Sequence, residues 1–198
     1  MESARILVAM NNKSSANKLK IVLNTMGYQV VDQADNTNDA LRKLVNLRPD
    51  LAVMDYDLSP QNSLEIAKIA VEDKLCDVIL IASSEQKGSL EYLKAEYDIV
   101  IVAKPLHKET FLNTIDLVIK NRKKILALKK EIEELKETIE TRKEVEQAKG
   151  LLMKNLNLTE EEAFRMIQKQ SMNRGIKMRE IAKAIILTYN LENKHLKT

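Results

Sequence analysis

No tryptophan occurs among the 198 residues, and the chain holds one cysteine, two histidines, three prolines and four glycines. A single Cys76 excludes an internal disulfide, and with only His107 and His195 as imidazoles no zinc-ligand set can be assembled. The scarcity of Pro and Gly excludes collagen-like and low-complexity chains. Apolar runs never approach the roughly 20 residues of a membrane span. The opening Met1-Glu2-Ser3-Ala4-Arg5 has no signal-peptide pattern, so the expected location is the cytoplasm, away from membranes.

What is present is 44% hydrophobic and 31% charged, the balance of a soluble, helix-rich protein long enough for two small domains. The net charge of +3 divides unevenly, with −3 over residues 1–120, +2 over 121–142 and +4 over 143–198. An acidic front and a basic tail point to a polyanion met by the tail.

Punctuation follows the same division. All three prolines, Pro49, Pro60 and Pro105, lie in the front, and no glycine or proline interrupts the chain between Pro105 and Gly150. In the front, short β-branched runs at Arg5–Met10, Gln29–Val31, Leu51–Asp55, Val78–Ala82 and Ile99–Ala103 alternate with stretches of helical spacing such as Leu41/Leu44/Val45. Repeated β-α units of this kind predict an α/β fold with a doubly wound parallel sheet over residues 1–120. Val78-Ile79-Leu80-Ile81 is apolar on both faces, as a buried parallel strand requires.

Over 108–142 the pattern is one long helix. Val118, Asn121, Ile125, Leu128, Ile132, Leu135 and Ile139 keep the three-and-four spacing of a heptad seam, which favours a parallel two-stranded coil and hence a homodimer. At Arg142 the apolar repeat breaks, and there the coil is expected to end or change phase. The tail, 143–198, reads as a small three-helix unit. Its first helix carries Gln147 to Lys154 and turns at Asn155 to Leu158. Thr159-x-x-Glu162 is a capping box for a second helix whose core face is Ala163, Met166, Ile167 and Gln170 or Ser171, Phe164 also being expected in the core; Gly175 supplies a left-handed stop, and a last helix runs from about Lys177 to Tyr189.

Two family resemblances follow from motifs. Arg48-Pro49-Asp50-Leu51-Ala52-Val53-Met54-Asp55 and Val100-Ile101-Val102-Ala103-Lys104-Pro105 resemble the receiver domain of two-component response regulators. This implies a flavodoxin-like sheet with Asp55 at the phosphoacceptor position and Lys104 at the family's lysine. Both fall at carboxyl ends of strands, where open α/β sheets bind ligands. A carboxylate there can attack a phosphoryl donor while an ammonium holds the anion. Yet Met10-Asn11-Asn12 stands where the family has its magnesium-binding acids, Ala82 or Ser83 where a Thr or Ser ends the fourth strand, and Ile101 at the aromatic switch position. The expectation is a degenerate receiver with no cofactor beyond weak magnesium at Asp55, aided by Asp57. The bland reading of Asp55 and Lys104 is an ion pair that ties strand ends together.

The tail resembles the ANTAR domain of transcription antiterminators through Ala148-Lys149-Gly150-Leu151-Leu152-Met153, Thr159-Glu160-Glu161-Glu162-Ala163-Phe164 and the last helix with Ala182. The resemblance implies binding of paired hairpin loops in leader RNA. Lys149, Lys154, Arg165, Lys169, Arg174, Lys177, Arg179 and Lys183 supply cations, of which about half are expected to touch RNA, the rest being solvated surface. Gly150 inside a helix costs about 1 kcal/mol relative to alanine, so close helix packing or close approach of a ligand is expected there. The reading is therefore a non-enzymatic antitermination regulator, controlled through its receiver by a sensor protein or histidine kinase. The alternative is a DNA-binding response regulator with Arg174-Gly175-Ile176 as a helix-turn-helix turn. A third reading is a coiled-coil scaffold whose tail contacts protein.

Overall fold

The computed structural model describes residues 3–195, with side chains as far as Asn190, so Met1, Glu2 and the His195 side chain lie outside the described residues. The chain divides into two compact units, residues 1–125 and 126–198.

The first unit is a five-stranded parallel sheet in the order β2-β1-β3-β4-β5, formed by β1 (Arg5–Ala9), β2 (Gln29–Ala34), β3 (Leu51–Asp55), β4 (Asp77–Ala82) and β5 (Val100–Ala103). Between them run α1 (Lys13–Thr25), α2 (Thr37–Leu47), α3 (Leu64–Glu72), α4 (Ser84–Leu90) and α5 (Tyr92–Tyr97). Successive strand residues point to opposite faces. Leu7, Ala52, Met54, Val78 and Leu80 therefore enter one core layer, while Ile6, Val8, Val53, Ile79 and Ile81 enter another. Each such Leu or Ile, fully buried, contributes about 1.5–3 kcal/mol. β2 is longer than its apolar start, Gln29–Val31, predicts. It lies at the sheet edge, where the polar Asp32 and Gln33 are tolerated, and its pairing with β1 shifts register between Ile6 and Leu7.

Strand order reverses between β1 and β3, so the carboxyl ends of those two strands flank the switch point at which such sheets hold ligands. Cys76 is buried beside the sheet, and desolvation pushes its thiol up to about 12, leaving no thiolate at neutral pH.

The long helix, α6, runs unbroken from Lys108 to Leu156. Its first turns belong to the first unit, where Phe111, Leu112, Ile115 and Ile119 complete a core layer and Val118 packs against it. The apolar row changes phase after Arg142: Val145, Ala148 and Leu152 turn into the second unit's core. No separate helix begins at 143, and Gly150 does not interrupt α6, because a propensity cost of about 1 kcal/mol cannot break a helix packed on both sides of it. The helix stops when Asn157 adopts φ 56°.

The second unit adds α7 (Glu160–Arg174) and α8 (Met178–His195). Thr159 Oγ1 accepts from the Glu162 amide while Glu162 reaches back to the Thr159 amide, closing the capping box. Gly175 at φ 63° ends α7. Ala148, Ala163 and Ala182 are wholly buried, one from each helix. Their small side chains are what the ANTAR-like motifs contribute physically, letting three backbones approach. Phe164 and Met166, expected in this core, are instead about 40% exposed, at 40% and 41%.

Candidate functional sites

At the end of β3 the Lys104 ammonium donates to Asp55 Oδ1 at 2.7 Å. Around this pair the neighbouring polar groups are already committed. Asn11 Oδ1 accepts from the Ser59 amide at 2.9 Å, and its side-chain amide donates to the Asp57 carbonyl. Asn12 caps α1 by accepting from the Ser15 amide at 3.0 Å. The Asp57 carboxylate accepts from Gln86 Nε2 at 2.9 Å, and Met10 is buried.

A magnesium ion seeks one or two carboxylates with room for water. Here one carboxylate is held by an ammonium, the second by an amide, and the amides of the Asn11-Asn12 pair are occupied with backbone. The residues present therefore do not fit that ion. Among the described residues no group of three or more His, Cys, Asp or Glu could hold a metal. Ala82 ends β4, and Ser83 is used in a capping box with Gln86, its amide donating to Gln86 Oε1 at 2.8 Å. Ile101 is buried in the core, where no aromatic ring can swing. Geometrically the site is an ion pair with polar loops tied above it.

In the second unit the eight cations separate into two groups. Lys149 points inward, 6% exposed, with its ammonium 2.7 Å from Glu146 and 2.7 Å from Glu160. Those two carboxylates hold its pKa above the usual lysine value. This departs from the expectation of a phosphate-facing Lys149, because a long side chain beside the buried Ala148 finds its partners on α6 and α7 before it reaches water.

Arg179 is held by Glu144, Lys177 by Glu137 at 3.0 Å, and Arg165 by Glu161 at 2.6 Å. Lys183 stands 3.9 Å from Glu180, a loose surface contact. Lys154, Lys169 and Arg174 form no ion pair among the described residues. Gly150 is exposed, and a Cβ placed there meets nothing within 4 Å, so the close helix packing expected there is not found.

Between the last turns of α6, the second half of α7 and residues 181–189 of α8 lies an open cleft of about 730 Å³. Leu152 and Met166 contribute apolar surface, and Asn155, Gln170, Arg174 and Tyr189 contribute polar groups. Gln170 is expected on the core face of α7, but no spacing in the sequence brings Asn155 on α6 together with Gln170 and Arg174 on α7 and Tyr189 on α8. Met166, Gln170 and Arg174 do share the i, i+4, i+8 spacing of one helix face.

A model of the response regulator receiver domain matches residues 6–116, and a model of the ANTAR domain matches residues 133–186. The chain is an ANTAR-bearing member of the response regulator family. The transcriptional regulatory protein PdtaR of Mycobacterium tuberculosis is 27% identical over 184 residues, covering 93% of this chain and 90% of that relative. The signal receiver domain of a modulated diguanylate cyclase from Desulfovibrio desulfuricans G20 superposes with a TM-score of 0.54 at 27% identity, covering 62% of this chain and 98% of that one. A CheY-like receiver domain protein from Methanospirillum hungatei JF-1 superposes at 0.55 with 22% identity, over 62% and 98%, and shows the shared fold. Both matched domains of the regulator are regulatory in kind. No helix among its described residues is long and apolar enough to cross a membrane.

Proposed function

We propose that this regulator acts in the cytoplasm as an RNA-binding antiterminator that engages paired hairpin loops of a leader transcript. The observation that carries the reading is the ANTAR match over residues 133–186, which includes the three alanines on which the three-helix unit closes. The match to PdtaR along nearly the whole chain supports a transcriptional role. Single-stranded loops are where proteins read RNA sequence, and Lys154, Lys169 and Arg174, which form no ion pair among the described residues, suit their phosphates.

Dimerisation through α6 complements this. Ile125, Leu128, Ile132, Leu135 and Ile139 are each about half exposed, a row of apolar side chains that a second copy would bury. Two tails on one coil engage two hairpins with an effective concentration on the order of millimolar where the spacing fits. Control enters through the receiver by contact with a sensor protein or kinase, and that contact acts as a switch by differing between the receiver's two states.

The helix-turn-helix alternative is weakened by the start of α8, where Lys177 and Arg179 are held by Glu137 and Glu144 and Ile181 is buried. The experiment is binding of the purified full chain to a two-hairpin RNA, a matched duplex DNA and a scrambled RNA at fixed salt. Preference for the two-hairpin RNA is expected; equal or greater affinity for the duplex DNA overturns the reading.

A further inference from the structure

We propose that the cleft between α1 and the start of α6, beside Asp55 and Lys104, binds a small organic anion, an apolar body carrying one anionic head. The proposal concerns the first unit and stands apart from the RNA-binding reading of the tail.

The cleft encloses about 640 Å³, a size usual for small-molecule sites, and its lining lies wholly within the first unit. On the α1 side, Ser15, Lys18, Leu19 and Val22 have the i, i+3, i+4, i+7 spacing of one helix face. That stripe is about 10 Å long at the helical rise of about 1.5 Å per residue. Facing it are Phe111 and Leu112 of α6, with Met10 at the end of β1, and all three are buried side chains of the sheet's core layer. The apolar lining is therefore built into the fold.

Both helices begin at the carboxyl edge of the sheet, because each follows a strand. Asn12, Ser15 and Lys108 thus share that edge with Asp55 and Lys104, while Leu19 and Val22 lie one and two turns further along α1. The cleft is polar at one end and apolar toward the other.

Its polar end is rich in donors. Three ammoniums, Lys18, Lys104 and Lys108, line the cleft against the single carboxylate of Asp55. Lys104 spends one proton on Asp55 at 2.7 Å and keeps two, and Lys18 and Lys108 form no ion pair among the described residues. Asn12 uses its side-chain oxygen to accept from the Ser15 amide, which leaves its nitrogen as a donor, and the Ser15 hydroxyl makes no side-chain hydrogen bond among the described residues. Carboxylate or phosphate oxygens are the matching acceptors.

Other occupants match only half of this lining. A cation meets three ammoniums, a neutral apolar molecule leaves the donors unpaired, and an inorganic anion leaves the apolar stripe in water. A polyanion is opposed by the net charge of −3 over residues 1–120, so the positive charge is local to the cleft. A small organic anion satisfies both ends.

The test is calorimetric titration of the full chain with octanoate and with 2-naphthoate, alongside octanol and octylammonium as neutral and cationic controls. Saturable binding of at least one anion, one per chain, is expected, with neither control saturating in the same range, and the tighter anion shows whether the body is aliphatic or aromatic. Lys18→Glu combined with Lys108→Glu is expected to weaken it about tenfold or more at low salt, and the wild-type affinity is expected to fall as salt rises. Leu19→Trp, which fills the apolar stripe, is expected to abolish binding. Asp55→Asn, which removes the one carboxylate and frees Lys104, is expected to tighten it about threefold or more. Thermal unfolding of each variant checks folding, and the two charge variants alter side chains without adding bulk.

Octanol binding as tightly as octanoate overturns the proposal, since the head is then not recognised. Binding that persists unchanged in the double lysine variant and in Leu19→Trp also overturns it and places the anion on the exposed apolar row of α6. Absence of saturable binding by either anion up to millimolar concentration overturns it as well and leaves the cleft to a protein partner.

Discussion

The Arg179 guanidinium lies against the Glu144 carboxylate in a two-point contact, Nε to Oε2 at 2.7 Å and Nη2 to Oε1 at 3.3 Å, joining the start of α8 to α6. Both side chains are only about one-fifth exposed, at 23% and 19%. A fork held in this way positions a helix and is not available to a phosphate without breaking the contact.

Arg179 keeps the Glu144 carboxyl below its ordinary pKa. A carboxylate whose folded value is depressed contributes stability that is fully present above its unfolded value, about 4.3, and lost as pH falls through the lower folded value. Glu144→Gln is expected to lower the melting temperature at pH 7 and to flatten its acid dependence below about pH 4.3. Thermal melts between pH 3 and pH 7 check this, and identical pH profiles for variant and wild type refute it.

Asp55 is expected to be a poor phosphoacceptor. The Lys104 ammonium sits on its carboxylate, and the Asn11-Asn12 pair supplies no charge to a divalent ion. Incubation with a small phosphodonor and magnesium should give slow, substoichiometric labelling. Rapid labelling of every molecule, abolished by Asp55→Asn, counts against the degenerate-site reading.

Ile132→Asp combined with Leu135→Asp is expected to yield a monomer at micromolar concentration. Both positions are half exposed on α6, so the charges cost the single chain little, whereas in a coil they lie buried without partners. Analytical sedimentation is the measurement. A dimer that survives the double substitution places the interface elsewhere.

Lys149 and Lys154 are expected to behave oppositely. Lys149→Met removes the buried partner of Glu146 and Glu160 and should reduce thermal stability while leaving the salt dependence of RNA binding unchanged. Lys154→Ala should leave stability alone and reduce the salt slope by up to about one unit if it meets a phosphate. A salt titration of RNA affinity paired with melting curves separates the two. Equal loss of slope in both variants would return Lys149 to the interface.

The sequence by itself determined the parallel sheet, the positions of Asp55 and Lys104 at strand ends, the exposed apolar row from Ile125 to Ile139 along α6, the Thr159 capping box and the Gly175 stop. Each of these is a local regularity: period two, period three-and-four, or a residue type that one backbone conformation requires. Tertiary structure alone decided that α6 continues through Arg142 and Gly150 to Leu156, that Lys149 turns inward, that Phe164 and Met166 face outward, and that Asn155, Gln170, Arg174 and Tyr189 meet around one cleft. Those outcomes depend on how three helices cross at Ala148, Ala163 and Ala182. Which charge finds which partner, and which side chains share a cavity, are set by distances between segments far apart in the chain, and no spacing within a single helix encodes them.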